Sequence, residues 1–154
     1  MHPTILTRPP LALVGLQIRT VSMSPEIPAL WPRFVPRIAE IAGVAEPGVT
    51  YGWMRAAADD PAALLYLAAV PVASSADVPP AGMTATPVAA QRVAVFEVPF
   101  AQMGPTYDHA FRTWLPQSDW VQADGPLLER YGADFCPDDP ASPVQIHVPV
   151  RARG

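Results

Sequence analysis

The chain has 154 residues, half of them hydrophobic and 16% charged, with a formal net charge of -4. That balance fits one folded domain over 1–154 with a sizeable core, and excludes a disordered or fibrous chain. The ten basic residues are all arginine and lie scattered, so no basic stripe for nucleic acid forms. The single cysteine, Cys136, excludes an internal disulfide and a cysteine-based zinc site. No run of 18 apolar residues marks a membrane span. MHPTILTRPP lacks the charged and apolar regions of a signal peptide, so the expected location is cytoplasmic.

In chain order, LVGLQIRTV (13–21) predicts a strand. Ile27, Trp31, Phe34, Ile38 and Ile41 recur at helical spacing and predict a helix. Pro32 and Pro36 fall inside it, so its geometry is expected to be distorted. VTYGWMR (49–55) and LLYLAAVPV (64–72) predict two strands. ASSADVPPAGMTATPVAAQ (73–91) reads as a linker. RVAVFEVPF, from 92, predicts a strand, and Tyr107, Phe111, Trp114 and Leu115 mark one face of a second helix. LLERYGA (127–133) and VQIHVPV (144–150) predict the last two strands.

The order of elements repeats. Val-Pro-Val occurs at 70–72 and again at 148–150, an offset of 78. The same offset places Trp53 with Tyr131 and Tyr51 with Glu129. The expected fold class is α+β, with two pseudo-symmetric βαββ repeats. Repeat one covers about 10–72, the linker about 73–91 and repeat two about 92–151. Such a pair gives an antiparallel sheet with helices on one face. A concave central pocket is expected where VTYGWMR meets LLERYGA.

Glu129 shares a strand face with Leu127 and Tyr131. A carboxylate covered by apolar neighbours is costly unless something pairs with it. It is then a charge-selective anchor for a ligand, with general acid/base chemistry within its reach. The alternatives are an exposed sheet edge or a pair with Arg130 or Arg92. Tyr131, Tyr51 and Trp53 neighbour that position and suit a flat or cationic guest. Tyr107, Phe111 and Trp31 are candidate ring walls on the helices. Trp114, Tyr66 and Phe96 read as core. His2, His109 and His147 have no metal-ligand spacing, and no phosphate loop or nucleophile elbow is present. No cofactor or metal is expected.

The stretches that carry chemistry also resemble a known family. A Gly-Pro-x-Tyr helix start and a Trp-Leu-Pro helix end lie in MGPTYDHAFRTWLPQSDW (103–120). Pro-x-x-Glu-x-Tyr lies in ADGPLLERYGADF (123–135), and Ile-x-Val-Pro-Val closes VQIHVPVR (144–151). With LVGLQIRTV, they resemble the GyrI-like, AraC-type effector-binding domain, of SHS2-type fold. The resemblance implies an aromatic pocket for hydrophobic, often cationic, drugs, with Glu129 at its base and Tyr107 at the helix start. Regulators of the family carry a helix-turn-helix ahead of this module. None is expected here, so the expected partner is a lipophilic cation rather than DNA or a membrane. Two alternatives remain, of which the first uses the same pocket. One is hydrolysis of strained cyclopropanoid natural products, using Glu129 with Tyr51 or Tyr131. The other is a gyrase-inhibitor-like interaction.

Overall fold

The structure, a computed structural model, describes residues 2–74 and 78–154. The first half holds β1 (Thr4–Arg8), β2 (Leu11–Thr20), α1 (Glu26–Phe34), β3 (Thr50–Ala57) and β4 (Asp60–Val72). The second holds β5 (Thr84–Val88), β6 (Gln91–Pro99), α2 (Met103–His109), β7 (Trp120–Gln122), β8 (Leu127–Tyr131) and β9 (Pro143–Ala152). The strands form one antiparallel sheet in the order β1-β6-β9-β8-β3-β4-β2-β5, and β7 pairs with β9. This is the α+β arrangement of two βαββ units, joined where β3 meets β8. The predicted strands VTYGWMR and LLERYGA are thus direct neighbours.

Three strands go beyond the predicted elements: β1, β5 and β7. β5 lies inside the expected linker 73–91, of which residues 75–77, including Asp77, fall outside the described residues. β1 and β5 each cross to the other unit: β1 pairs with β6, and β5 pairs with β2. Their registers repeat too, since Leu6 faces Val93 and Thr84 faces Gly15 (84 − 6 = 93 − 15 = 78). The two-residue joints explain the crossing. A tight hairpin needs positive φ at its turn, and Pro9 and Pro10 are locked at negative φ. Ala89 and Ala90 likewise have no positive φ. Each arm therefore runs on to the neighbouring unit instead of folding back.

The helices cover one face of the sheet. Leu30 and Phe34 of α1 pack on Val14, Leu16, Met54, Tyr66 and Val70. Ala110 and Leu115 pack on Ala94, Phe96, Ile146 and Val148. The opposite face buries Leu13, Tyr51, Trp53, Leu67, Val88 and Leu128 in a cluster that holds no helix residue. A face can be buried without a helical cover only if the sheet curls over it. Both faces of the central strands are therefore apolar, which is why LALVGLQIRT lacks the clean alternation of a half-exposed strand.

Both helices are irregular for identifiable reasons. α1 carries Pro32, which has no N–H to donate. It ends two residues later and continues as the 3-10 turn Val35–Glu40, which holds Pro36. After α2 the chain widens into a π-helical turn, Ala110–Trp114, where the Leu115 N–H donates to the Ala110 carbonyl. Pro116 follows and cannot donate to the preceding turn. Trp114 then stands edge-on to Phe96, with ring centroids 5.6 Å apart.

Candidate functional site

The β3–β8 pair lies at the centre of the sheet order. Gly52 faces Glu129 across it, and Met54 faces Leu127. Directly opposed residues share a face, and Met54 and Leu127 belong to the helix-side clusters. Glu129 therefore points between α1 and α2, where it is 7% exposed. Neither arginine considered in the sequence reaches it. Arg130 turns to Glu46 at 3.3 Å, and the Arg92 guanidinium sits over the Trp120 ring.

Three phenols hold the carboxylate instead. Tyr131 donates to Oε1 at 2.8 Å, Tyr66 to Oε1 at 3.2 Å and Tyr107 to Oε2 at 2.6 Å. Trp31 Nε1 donates in turn to the Tyr66 hydroxyl at 3.2 Å. Four elements supply the parts: β8 gives Glu129 and Tyr131, β4 gives Tyr66, α1 gives Trp31 and α2 gives Tyr107. The Trp31 ring meets Tyr131 edge-on at 5.5 Å, and Tyr131 packs against Phe135 at 4.8 Å. The carboxylate thus sits in an aromatic wall.

Gly52 makes this geometry possible. Tyr66 is two residues short of Ala68, the residue that faces Gly52, and its phenol reaches across the glycine to Glu129. A Cβ on Gly52 would lie 2.4 Å from the Tyr66 oxygen and 2.8 Å from Glu129 Oε1. Gly52→Ala is expected to displace both side chains and cost about 1–3 kcal/mol of stability. The check is a urea melt, with tyrosine fluorescence reporting the disturbed cluster.

The electrostatics follow from burial. Loss of water pushes the Glu129 carboxyl above the usual carboxylate range, and the hydrogen bonds from Tyr107, Tyr131 and Tyr66 oppose that rise. The three tyrosines are pushed well above the usual phenol range, first by burial and then by the Glu129 charge. They remain donors at any working pH. No cation among the described residues pairs with Glu129, and no group of His, Cys, Asp and Glu there could hold a metal ion. No described helix is long and apolar enough to cross a membrane.

Of the residues singled out in the sequence, Glu129, Tyr131, Tyr107 and Trp31 come together. Phe111 packs beside Tyr107 in the cluster under the second helix. Tyr51 and Trp53 do not join them. They lie on the opposite face, opposed to Arg130 and Leu128. The reason is a slip of one residue between the repeats. Ala69 of β4 and His147 of β9 are 78 apart, but their partners Tyr51 and Leu128 are only 77 apart. Glu129 therefore corresponds to Gly52, not Tyr51, and an odd slip moves a side chain to the other face. Two members of the site were missed. Tyr66 reads as core by its apolar neighbours, and Gly52 carries the signal of a glycine inside an otherwise apolar strand.

Comparison with known proteins bears on the family and the fold. The chain is 32% identical over 154 residues to the transcriptional regulator BrlR of Pseudomonas aeruginosa, covering 97% of this chain and 56% of BrlR. It thus spans about half the length of that curated relative. The fold is similar to that of SAV2435 bound to tetraphenylphosphonium, with a TM-score of 0.74 and 20% identity over 98% of this chain and 94% of that one. It is also similar to an integron cassette protein of Vibrio cholerae, with a TM-score of 0.68 and 18% identity over 98% and 97% of the two chains. The GyrI-like small molecule binding domain matches residues 1–151. The chain belongs to the GyrI-like small-molecule-binding domain family.

Proposed function

We propose that this protein binds hydrophobic cations between α1 and α2, with Glu129 as the charge anchor and Tyr131, Tyr107, Tyr66 and Trp31 as ring walls. One observation carries the reading: a carboxylate 7% exposed is held by three neutral donors and by no cation among the described residues. A buried charge in that state is costly, and an incoming cation relieves the cost. The rings add dispersion and cation–π attraction, worth about 0.5–2 kcal/mol per well-placed face. SAV2435, similar in fold, is bound to tetraphenylphosphonium, a cation of that kind. Trp31 and Tyr107 are both partly exposed, which gives a guest an approach. The Tyr51 and Trp53 contacts expected from the sequence are not part of this proposal, and Phe111 supports the wall behind Tyr107.

The pH dependence tests it. Glu129 has its folded-state pKa raised by burial. A cation favours the ionised form, so affinity is low while the carboxyl is protonated and rises with pH through the raised value. Calorimetric titration with tetraphenylphosphonium should show that rise, then a plateau, with proton release on the rising limb. An affinity flat across that range would contradict the proposal. Folding stability should move the other way. The folded state holds its proton to higher pH than the unfolded chain, so stability falls as pH rises through that window.

A further inference from the structure

The face turned away from the helices carries a second polar cluster, which the cation site does not use. Arg8 ends β1 and is 4% exposed. Its Nη2 donates to the Ala89 carbonyl at 3.3 Å, while Nε and Nη1 are buried with no acceptor. His147 of β9 is 5% exposed; its Nε2 lies 3.0 Å from Gln145 Oε1, and its Nδ1 is buried without a partner. The strand registers put Arg8, Tyr51, Arg130, Gln145 and His147 on this one face. Arg130 stands opposite Tyr51 across β3 and β8, and its carboxylate partner, Glu46, is half exposed at the rim.

The local field is positive although the chain as a whole is acidic. The His147 ring is pushed down to about 4, first by burial and then by the charges of Arg8 and Arg130. A buried guanidinium with unmet donors is costly unless an acceptor of opposite charge meets it. A water would satisfy the N–H groups but leave the charge uncompensated. An oxyanion does both, and charge-assisted bonds to arginine are the strong kind. The joint Pro9–Pro10 and the crossing of β1 to β6 hold Arg8 in place, so the site is built from both units.

We propose that this cluster is a binding site for a small oxyanion, a carboxylate or phosphate group, seated on Arg8 with His147, Gln145 and Tyr51 beside it. The site is independent of Glu129, on the other face of the same sheet.

The test uses the full chain, with inorganic phosphate and acetate as probes and ionic strength held constant with chloride. The Arg8 Nε–H resonance is followed by NMR alongside the melting temperature. The expected result is a saturable shift of that resonance with at least one probe, and a rise in melting temperature that tracks it. Both should persist in Glu129→Gln and in Arg19→Gln, whose arginine is exposed and paired with Asp59. Arg8→Lys keeps the charge but not the guanidinium donors, and should weaken the thermal response about tenfold or more. Arg8→Met should abolish it. A resonance that does not saturate in the wild type, or an equal thermal response in Arg8→Met, would overturn the proposal. The wild-type titration decides the matter even if Arg8→Met does not fold.

Discussion

Glu129→Gln is expected to weaken tetraphenylphosphonium binding by about 30-fold or more while the ligand-free protein keeps or raises its melting temperature. Removing one partner of a buried, hydrogen-bonded charge pair costs about 2–5 kcal/mol of affinity. The lower end of that range is a factor of about 30. Stability should not fall with it. The glutamine oxygen still accepts from a tyrosine, and the amide carries no charge to desolvate. The effect of burial on Glu129 is unfavourable to the ionised form, so its neutral isostere removes a cost at neutral pH. The fall of stability with rising pH should vanish in the same variant. Calorimetry and thermal melts on one preparation read both halves of this prediction. A variant that lost binding by unfolding would show a lowered melting temperature.

Gly15→Ala is expected to be the most destabilising of the glycine-to-alanine changes. Gly15 sits in β2, facing Ala69 of β4 on one side and Thr84 of β5 on the other. A Cβ there would lie 1.8 Å from the Ala68 carbonyl oxygen and 2.7 Å from the Ala69 Cα. These are backbone atoms of a central strand, so no rotamer change relieves the contact. The sheet must part between β2 and β4, where a long run of ladder bonds is at stake. A cost of about 3 kcal/mol or more follows, at the upper end of overpacking effects. For a domain of this size that lowers the melting temperature by roughly 6–12 °C. At Gly52 the clash is with flexible side chains instead, so the same methyl should cost less stability but disturb the site more.

The comparison of Tyr51 with Glu129 shows where the sequence stops being legible. The Val-Pro-Val spacing located the two repeats and put VTYGWMR against LLERYGA, as the β3–β8 ladder has it. Glu129 stood out because its strand neighbours are apolar. An offset read from a few identities carries no information on a one-residue slip, yet in a strand that slip exchanges the faces. It separates Tyr51 and Trp53 from the cluster. Tyr66 was hidden for a different reason: β4 is apolar on both faces, so nothing in LLYLAAVPV marks one ring as special. Arg8 was illegible because its burial depends on β1 crossing to the second unit, a long-range event that leaves only the Pro9–Pro10 joint as a local trace. The helix distortions were partly foreseen: Pro32 ends α1 as its chemistry requires, and Pro116 accompanies a π turn that helical spacing alone does not announce.

The central claim is that charge at Glu129, rather than apolar volume, selects the guest. Tetraphenylphosphonium and tetraphenylborate have nearly the same shape and opposite charge, so they separate the two. Titrated in parallel against the wild-type protein and Glu129→Gln, the phosphonium should bind the wild type well ahead of the borate, and that preference should collapse in the variant. Equal binding of the two ions by the wild type, or a preference for the phosphonium that survives in Glu129→Gln, would contradict the account.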